Sequence, residues 1–206
     1  MLIYFLIATP LILVTSCKDD EDASGMVVNL TDNSTRLQVK MTDAPAVYQE
    51  VNVDIESVSV HYGDSTDSGM WMDLATNSGI YNLLELQNDV SVVLADENGL
   101  PPGEIGQMRL LLGEENTVVV DSVAFDLKTP SAQQSGLKIN LDFVLEPGKQ
   151  YMILLDFDAG KSVVEQGNGG FLLKPVIRVD SIVELVPGMV VPVTVMRTED
   201  PSPVNE

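Results

Sequence analysis

Residues 137–143 read LKINLDF, with an apolar side chain at every odd position and a polar one at every even position. Successive side chains of a β-strand point to opposite faces of the sheet, so this stretch predicts a strand with one face in a core. Residues 151–157, YMILLDF, continue the odd phase but add apolar residues at 152 and 154. Apolar side chains on both faces are typical of a central strand, which we expect here.

The alternation recurs from residue 36 onward. Residues 51–55 keep apolar side chains at odd positions, whereas 58–60 keep them at even positions. This slip of one residue near Ser57 predicts a β-bulge. Further strands are predicted at 36–41, 70–74, 80–86, 90–95, 107–112, 116–127 and 171–184, with a candidate strand at Met189–Met196.

Helical periodicity is nearly absent, and its best candidate is a turn or two within residues 159–165. Short strands separated by turn clusters such as 62–65 and 146–149 are typical of a sandwich or barrel. We therefore predict an all-β fold over residues 36–185, an antiparallel β-sandwich of Ig-like or prealbumin-like type with at most one short helix.

Residues 1–16, MLIYFLIATPLILVTS, carry no charge, and their apolar run is too short to span a bilayer. They predict a signal peptide. Val14-Thr15-Ser16-Cys17 resembles the bacterial lipobox, which implies a lipid anchor on Cys17 in the membrane. The alternative is that Cys17 is a small apolar residue at the end of a buried element. Because Cys17 is the only cysteine, a disulfide within one chain is excluded.

Lys18-Asp19-Asp20-Glu21-Asp22 follows directly and resembles the export signal of Bacteroidetes surface lipoproteins. The resemblance implies display on the outer membrane, while the alternative is a solvated acidic linker. We expect residues 17–35 to form an acidic tether and residues 186–206 a tail, disordered over its last nine residues.

The charge balance bears on the partners. The chain has 31 acidic and 11 basic residues, for a net charge of −20. Nucleic acid and anionic phospholipid are therefore not expected as partners, apart from the membrane reached through the anchor.

Six short segments in this order resemble a bacterial lipoprotein family built on domain of unknown function 4382: 41–45 (MTDAP), 71–74 (WMDL), 100–103 (LPPG), 136–139 (GLKI), 155–159 (LDFDA) and 173–178 (LKPVIR). The resemblance covers about residues 36–180 and implies no established activity. The LPPG turn and the strand after it also look like the entry of prealbumin-like and Cna-B-like sandwiches. A shared fold does not fix a function.

Asp156 and Asp158 lie two apart on a predicted strand, so both could point to one face and chelate calcium or share a proton. We prefer a strand end that emerges into solvent. Asp43 precedes Ala44-Pro45 and is expected to cap that turn with its side chain.

Arg109 and Arg178 stand in apolar runs, where we expect each to pair with a carboxylate, and a ligand contact is the alternative. His61 is the sole histidine and is predicted to be a surface or turn residue. The segment Gly160-Lys161-Ser162 lacks the earlier glycine of a phosphate-binding loop, and the loop at 64–69 lacks the closing glutamate of a calcium loop.

These features predict no catalytic residue, no metal site and no cofactor, and hence a protein that is not an enzyme. The favoured function is a lipid-anchored surface module that binds a glycan, a protein or a neighbouring subunit. One alternative is a subunit of a surface appendage that donates the strand at 189–196. Another is a glycan hydrolase with acidic residues, which the aromatic content of 5% disfavours.

Overall fold

The computed structural model describes residues 35–63, 69–129 and 135–193. Cys17, the acidic run 18–22, most of the loop at 64–69 and the end of the tail lie outside these residues. Two sheets enclose one hydrophobic core. The first contains β1 (Thr35–Asp43), β5 (Val92–Leu100), β10 (Gln150–Phe157), β13 (Ile177–Val186) and β14 (Met189–Pro192), in the order β14-β13-β10-β1-β5.

The second sheet has nine strands. Seven of them follow the order β11-β12-β8-β7-β2-β6-β9, and the other two, β3 and β4, both pair with β2. β2 is the longest strand. The bounds are β2 (Glu50–Tyr62), β3 (Met70–Asp73), β4 (Gly79–Asn82), β6 (Gly103–Leu112), β7 (Thr117–Val120), β8 (Val123–Lys128), β9 (Leu137–Leu145), β11 (Val163–Glu165) and β12 (Phe171–Leu173). A 3-10 helix spans Leu83–Leu86, and α1 spans Ala159–Ser162.

The predicted strand phases are confirmed. In β9 the odd positions 139, 141 and 143 are buried while Lys138 and Asn140 are exposed. β10 lies between β13 and β1, and its odd residues are 0 to 2% exposed. The register of β2 on β6 shifts between Ile55 and Ser57, which confirms the predicted bulge. The shift lets residues on both sides of the bulge enter the same core.

The all-β sandwich is confirmed, but its sheets are mixed rather than purely antiparallel. β1 pairs in parallel with β10 along eight positions, and β8 pairs in parallel with β12. A period of two defines the faces of a strand and carries no information on the direction of its partner. The sequence pattern therefore could not distinguish the two arrangements.

Three predicted strands have different bounds. The segment 116–127 is a hairpin, β7 and β8, because Asp121 and Ser122 both take positive φ and form a tight turn. The segment 171–184 is broken before β13 at Pro175, which cannot donate to a ladder. The segment 80–86 is β4 followed by the 3-10 helix.

The helix α1 lies within the predicted turn at 159–165, and the rest of that segment is β11. Of the candidate strand at 189–196, residues 189–192 form β14. Over the described ranges, no helix is long and apolar enough to cross a membrane.

Candidate functional site

The outer face of the second sheet carries a set of polar and aromatic side chains on four adjacent strands. In β2, Val58 and Val60 enter the core, so Ser59 and His61 point to the opposite face. The pairing of β3, β2, β6 and β9 aligns the outward residues in two rows. One row is Trp71, His61, Gln107 and Asn140; the other is Asp73, Ser59, Arg109 and Lys138. We call these eight residues the platform.

A stack of three side chains lies at the centre of the platform. The guanidinium carbon of Arg109 lies 3.8 Å from the centroid of the Trp71 ring, within the range of a cation–π contact. On the strand between them the register places Ser59, whose small side chain leaves room for the arginine to cross. The rings of His61 and Trp71 are 5.0 Å apart and tilted by 52°. The sole tryptophan of the chain is therefore held by a cation and an imidazole.

Two nitrogens of this stack are buried without a hydrogen-bond partner, namely Nδ1 of His61 and Nε of Arg109. His61 is only 6% exposed, so the prediction of a surface or turn histidine is wrong. Its position follows from the pairing of β3 and β2, which brings Trp71 against the ring. Most buried polar groups in proteins are hydrogen-bonded, so two such nitrogens in one stack are unusual.

Arg109 also differs from the other arginines of the described residues. Arg36 pairs with Asp96, and Arg178 pairs with Asp156, each at 2.5 Å. In residues 35–63, 69–129 and 135–193, no carboxylate lies within 4 Å of the Arg109 guanidinium. The prediction of a carboxylate partner is thus confirmed for Arg178 and wrong for Arg109, whose partner is the indole.

Two glycines lie close to the stack, at positions where a side chain would not fit. A Cβ added to Gly136, whose φ is +69°, would lie 2.6 Å from Cγ of Arg109. A Cβ added to Gly69 would lie 2.6 Å from Cε1 of His61 and closer still to a carbonyl oxygen. Since both distances are shorter than van der Waals contact, a side chain at either position would displace the arginine stem or the imidazole.

The amides of the platform are ordered as well. Nε2 of Gln107 donates to Oδ1 of Asn140 at 3.2 Å, which links β6 to β9 on the outer face. Lys138, opposite Arg109, is exposed. The platform therefore combines an aromatic ring, two amides and two cations on one face of the sheet.

Asp156 and Asp158, the two candidate calcium ligands, bond to other residues of the chain. Asp156 is 4% exposed and its Oδ2 pairs with Arg178, whereas Oδ1 is buried without a partner. Asp158 caps α1, since Oδ1 accepts from the Lys161 amide at 2.9 Å. The preferred interpretation, a strand end in solvent, is therefore wrong for Asp156, because β13 brings Arg178 opposite it. The described part of the chain contains no group of three or more His, Cys, Asp or Glu residues that could hold a metal ion.

Asp43 is also placed differently from the prediction. Its Oδ1 accepts from the Ala159 amide at 2.8 Å, and its Oδ2 accepts from Nε2 of Gln87 at 3.3 Å. It therefore bonds the start of α1 rather than its own turn, because the parallel pairing brings the ends of β1 and β10 together. Burial raises the pKa of Asp43 to about 6, and the charges of Asp156 and Asp158 add to the rise.

A cleft of about 720 Å³ lies beside the platform, between β9 and β13. Lys138 and Asn140 border it on one side, and Arg178 and Asp180 on the other. Because β9 is the last strand of its sheet, the cleft and the platform meet along that edge.

Comparison with protein-family models matches residues 34–175 to the domain of unknown function DUF4382, which is well over half of the chain. The chain belongs to this family. No curated protein matches it, and no solved structure does either. The platform lies within the matched DUF4382 segment, so it is part of the family domain rather than of an addition to it. The Ig-like or prealbumin-like subtype stays a prediction.

Sequence reasoning singled out His61 and Arg109 separately and missed Trp71, Gln107, Asn140 and Lys138. A signal for the set was present, because polar residues occupy the outward phase of several strands whose other phase is apolar. What was missing was the strand order, which decides that β3, β2, β6 and β9 are neighbours.

Proposed function

We propose that this DUF4382 domain is a non-catalytic binding module, anchored to the outer membrane of a bacterium by a lipid on Cys17, and that its ligand occupies the platform. The observation that carries the binding role is the stack of Arg109 on Trp71. It holds a cation that pairs with none of the described carboxylates, on an outer face of a chain with a net charge of −20. Arginine and tryptophan, with tyrosine, are the residues enriched at the hot spots of protein–protein interfaces.

The platform chemistry favours binding over hydrolysis. Acid-dependent glycoside hydrolysis needs two carboxyl groups flanking the bond, and the platform includes Asp73 as its one acid. A nucleophile activated by His61 would need a third group to orient the imidazole, and Nδ1 of His61 has no hydrogen-bond partner. The platform therefore has groups that can bind a ligand, but it has neither the pair of carboxyl groups nor the oriented imidazole that these mechanisms require.

Strand donation to another subunit is the second candidate, and the position of β14 bears on it. β14 pairs with the end of β13 in the same chain, at the edge of the first sheet. Met189 and Val190 in this hairpin are 64% and 59% exposed. A donor role would require β14 to leave β13, so we favour ligand binding at the platform over strand donation.

The sole tryptophan makes the binding role directly testable. Trp71 fluorescence of the purified chain can be followed while a panel of polysaccharides and peptides is added. We expect a saturable change with at least one ligand. In calorimetry, Arg109→Gln should weaken that ligand at least tenfold, which corresponds to about 1.4 kcal/mol.

Arg178→Gln is the control, because it removes the same charge from the neighbouring cleft. It also removes the ion-pair partner of the buried Asp156, so urea unfolding must show that this variant is folded before its binding is compared. If only Arg178→Gln abolished binding, the site would be the cleft and the platform assignment would fail. Anchoring has its own test. Metabolic palmitate labelling of cells should disappear with Cys17→Ala, and labelling that persists would contradict a lipid on this residue.

A further inference from the structure

We infer that the platform recognises a carboxylated glycan, with a uronic acid carboxylate on the guanidinium of Arg109 and sugar hydroxyls on the amides of Gln107 and Asn140. This inference rests on the proposed function, because it names the ligand class of the same site.

Charge complementarity is the first argument. Arg109 and Lys138 are directly opposite each other on β6 and β9, and neither makes an ion pair with a described residue. Asp73 is in the same row as Arg109 but on the far side of Ser59, and it is exposed. Two adjacent unpaired cations in a chain with 31 acidic residues form a local site for an anion. The repulsion from distant acids is largely screened beyond about 8 Å at physiological salt.

The geometry of the stack favours a planar anion. The indole covers one face of the guanidinium, and Nε is buried, so the terminal nitrogens are the donors left for a ligand. A guanidinium presents parallel N–H groups in its own plane, which match the two oxygens of a carboxylate. Because the guanidinium already lies on the indole and the backbone of Gly136 approaches the arginine stem, little side-chain freedom is lost when the anion binds.

The strand positions favour a sugar over a peptide. An extended peptide is normally bound by adding a strand to a sheet edge, where free backbone groups pair with it. Arg109 and His61 are on β6 and β2, which are both interior strands with neighbours on each side. A peptide added to the free edge of β9 would lie beside the sheet and not over these two residues, so a ligand above them is contacted by side chains. The Gln107 and Asn140 amides both donate and accept, as sugar hydroxyls do.

An oligogalacturonate and its methyl ester are a matched pair of probes, since they share the sugar ring and differ in the carboxylate charge. With the full chain, we expect the acid to bind at least tenfold more tightly than the ester, followed by Trp71 fluorescence and by calorimetry. Arg109→Gln should remove that difference. Arg109→Lys should recover only part of it, because lysine keeps the charge and loses the planar fork.

Lys138→Gln gives a second variant that cannot disturb the core, since Lys138 is exposed. It should weaken the acid several-fold. Lys128→Gln is its control, with the same change of charge on an exposed residue of β8, and should leave the affinity unchanged.

The outcomes separate this inference from the proposed function. Equal affinity for the acid and the ester, or no binding of the acid at millimolar concentration, would overturn the carboxylate inference. In that case a neutral glycan or peptide whose binding depends on Arg109 would still support the platform as a site. If no ligand of the wider panel depended on Arg109, both would fail.

Discussion

Replacing Asp43 by Asn should change how the stability of the fold depends on pH. Asp43 is 6% exposed and bonds the start of α1, yet Asp156 and Asp158 lie close enough to repel its charge. An asparagine keeps the oxygen that accepts from the Ala159 amide, and the Gln87 amide can turn to accept from the new amide group. The substitution therefore removes a buried charge while retaining the hydrogen bonds.

The sign follows from the raised pKa of Asp43. Its pKa rises from 3.8 in the unfolded chain to about 6 in the folded one, so between these values the folded state holds a proton that the unfolded state has released. Raising the pH through this window destabilises the native chain. The full rise corresponds to about 3 kcal/mol, and we expect about 1 to 3 kcal/mol in practice.

Urea unfolding of the wild type and Asp43→Asn at pH 4.5 and pH 7.5 measures this effect. The free energy of unfolding of the variant, relative to wild type, should increase by about 1 to 2 kcal/mol between the two pH values, because about a third of the full effect is already present at pH 4.5. Comparing two pH values cancels any constant change in hydrogen bonding. A relative stability that stayed constant, or that decreased, would refute the argument from burial and like charge.

Asp96→Asn is the control, because folding lowers the pKa of Asp96 whereas it raises the pKa of Asp43. Asp96 pairs with Arg36, whose hydrogen bonds lower the pKa of Asp96. Its contribution to stability is present above the unfolded pKa and is lost only as the pH falls through the lower folded pKa. The variant should therefore be destabilised by a similar amount at pH 4.5 and at pH 7.5.

Five further substitutions test the packing and the cap of α1. Leu141→Ala and Phe157→Ala, at positions 1% and 0% exposed, should each lower the free energy of unfolding in urea by about 2 to 5 kcal/mol; less than about 0.5 kcal/mol at both would contradict the strand phases. Gly136→Ala should destabilise by at least about 1 kcal/mol and shift Trp71 emission, because its Cβ would displace Arg109; an unchanged spectrum would count against the stack. Asp158→Ala should cost about 0.5 to 2 kcal/mol in thermal unfolding through loss of the α1 cap, and Asp158→Asn clearly less.

The alternation of residues by itself determined the strands and their inward faces. The odd phase of 137–143 and the slip near Ser57 required only that apolar side chains leave water. The helical pattern likewise indicated a turn within 159–165, which contains α1. These features depend on neighbours within a few residues, so one sequence is enough to predict them.

The tertiary structure alone decided which strands are neighbours, and with it the site. The parallel pairing of β1 with β10 turned Asp43 toward Ala159, more than a hundred residues away in the chain. The pairing of β3, β2, β6 and β9 buried His61 and placed Arg109 on Trp71 instead of on a carboxylate. Periodicity defines the face of a strand on which a side chain lies, whereas its partner depends on strand order, direction and register, which are properties of the whole fold.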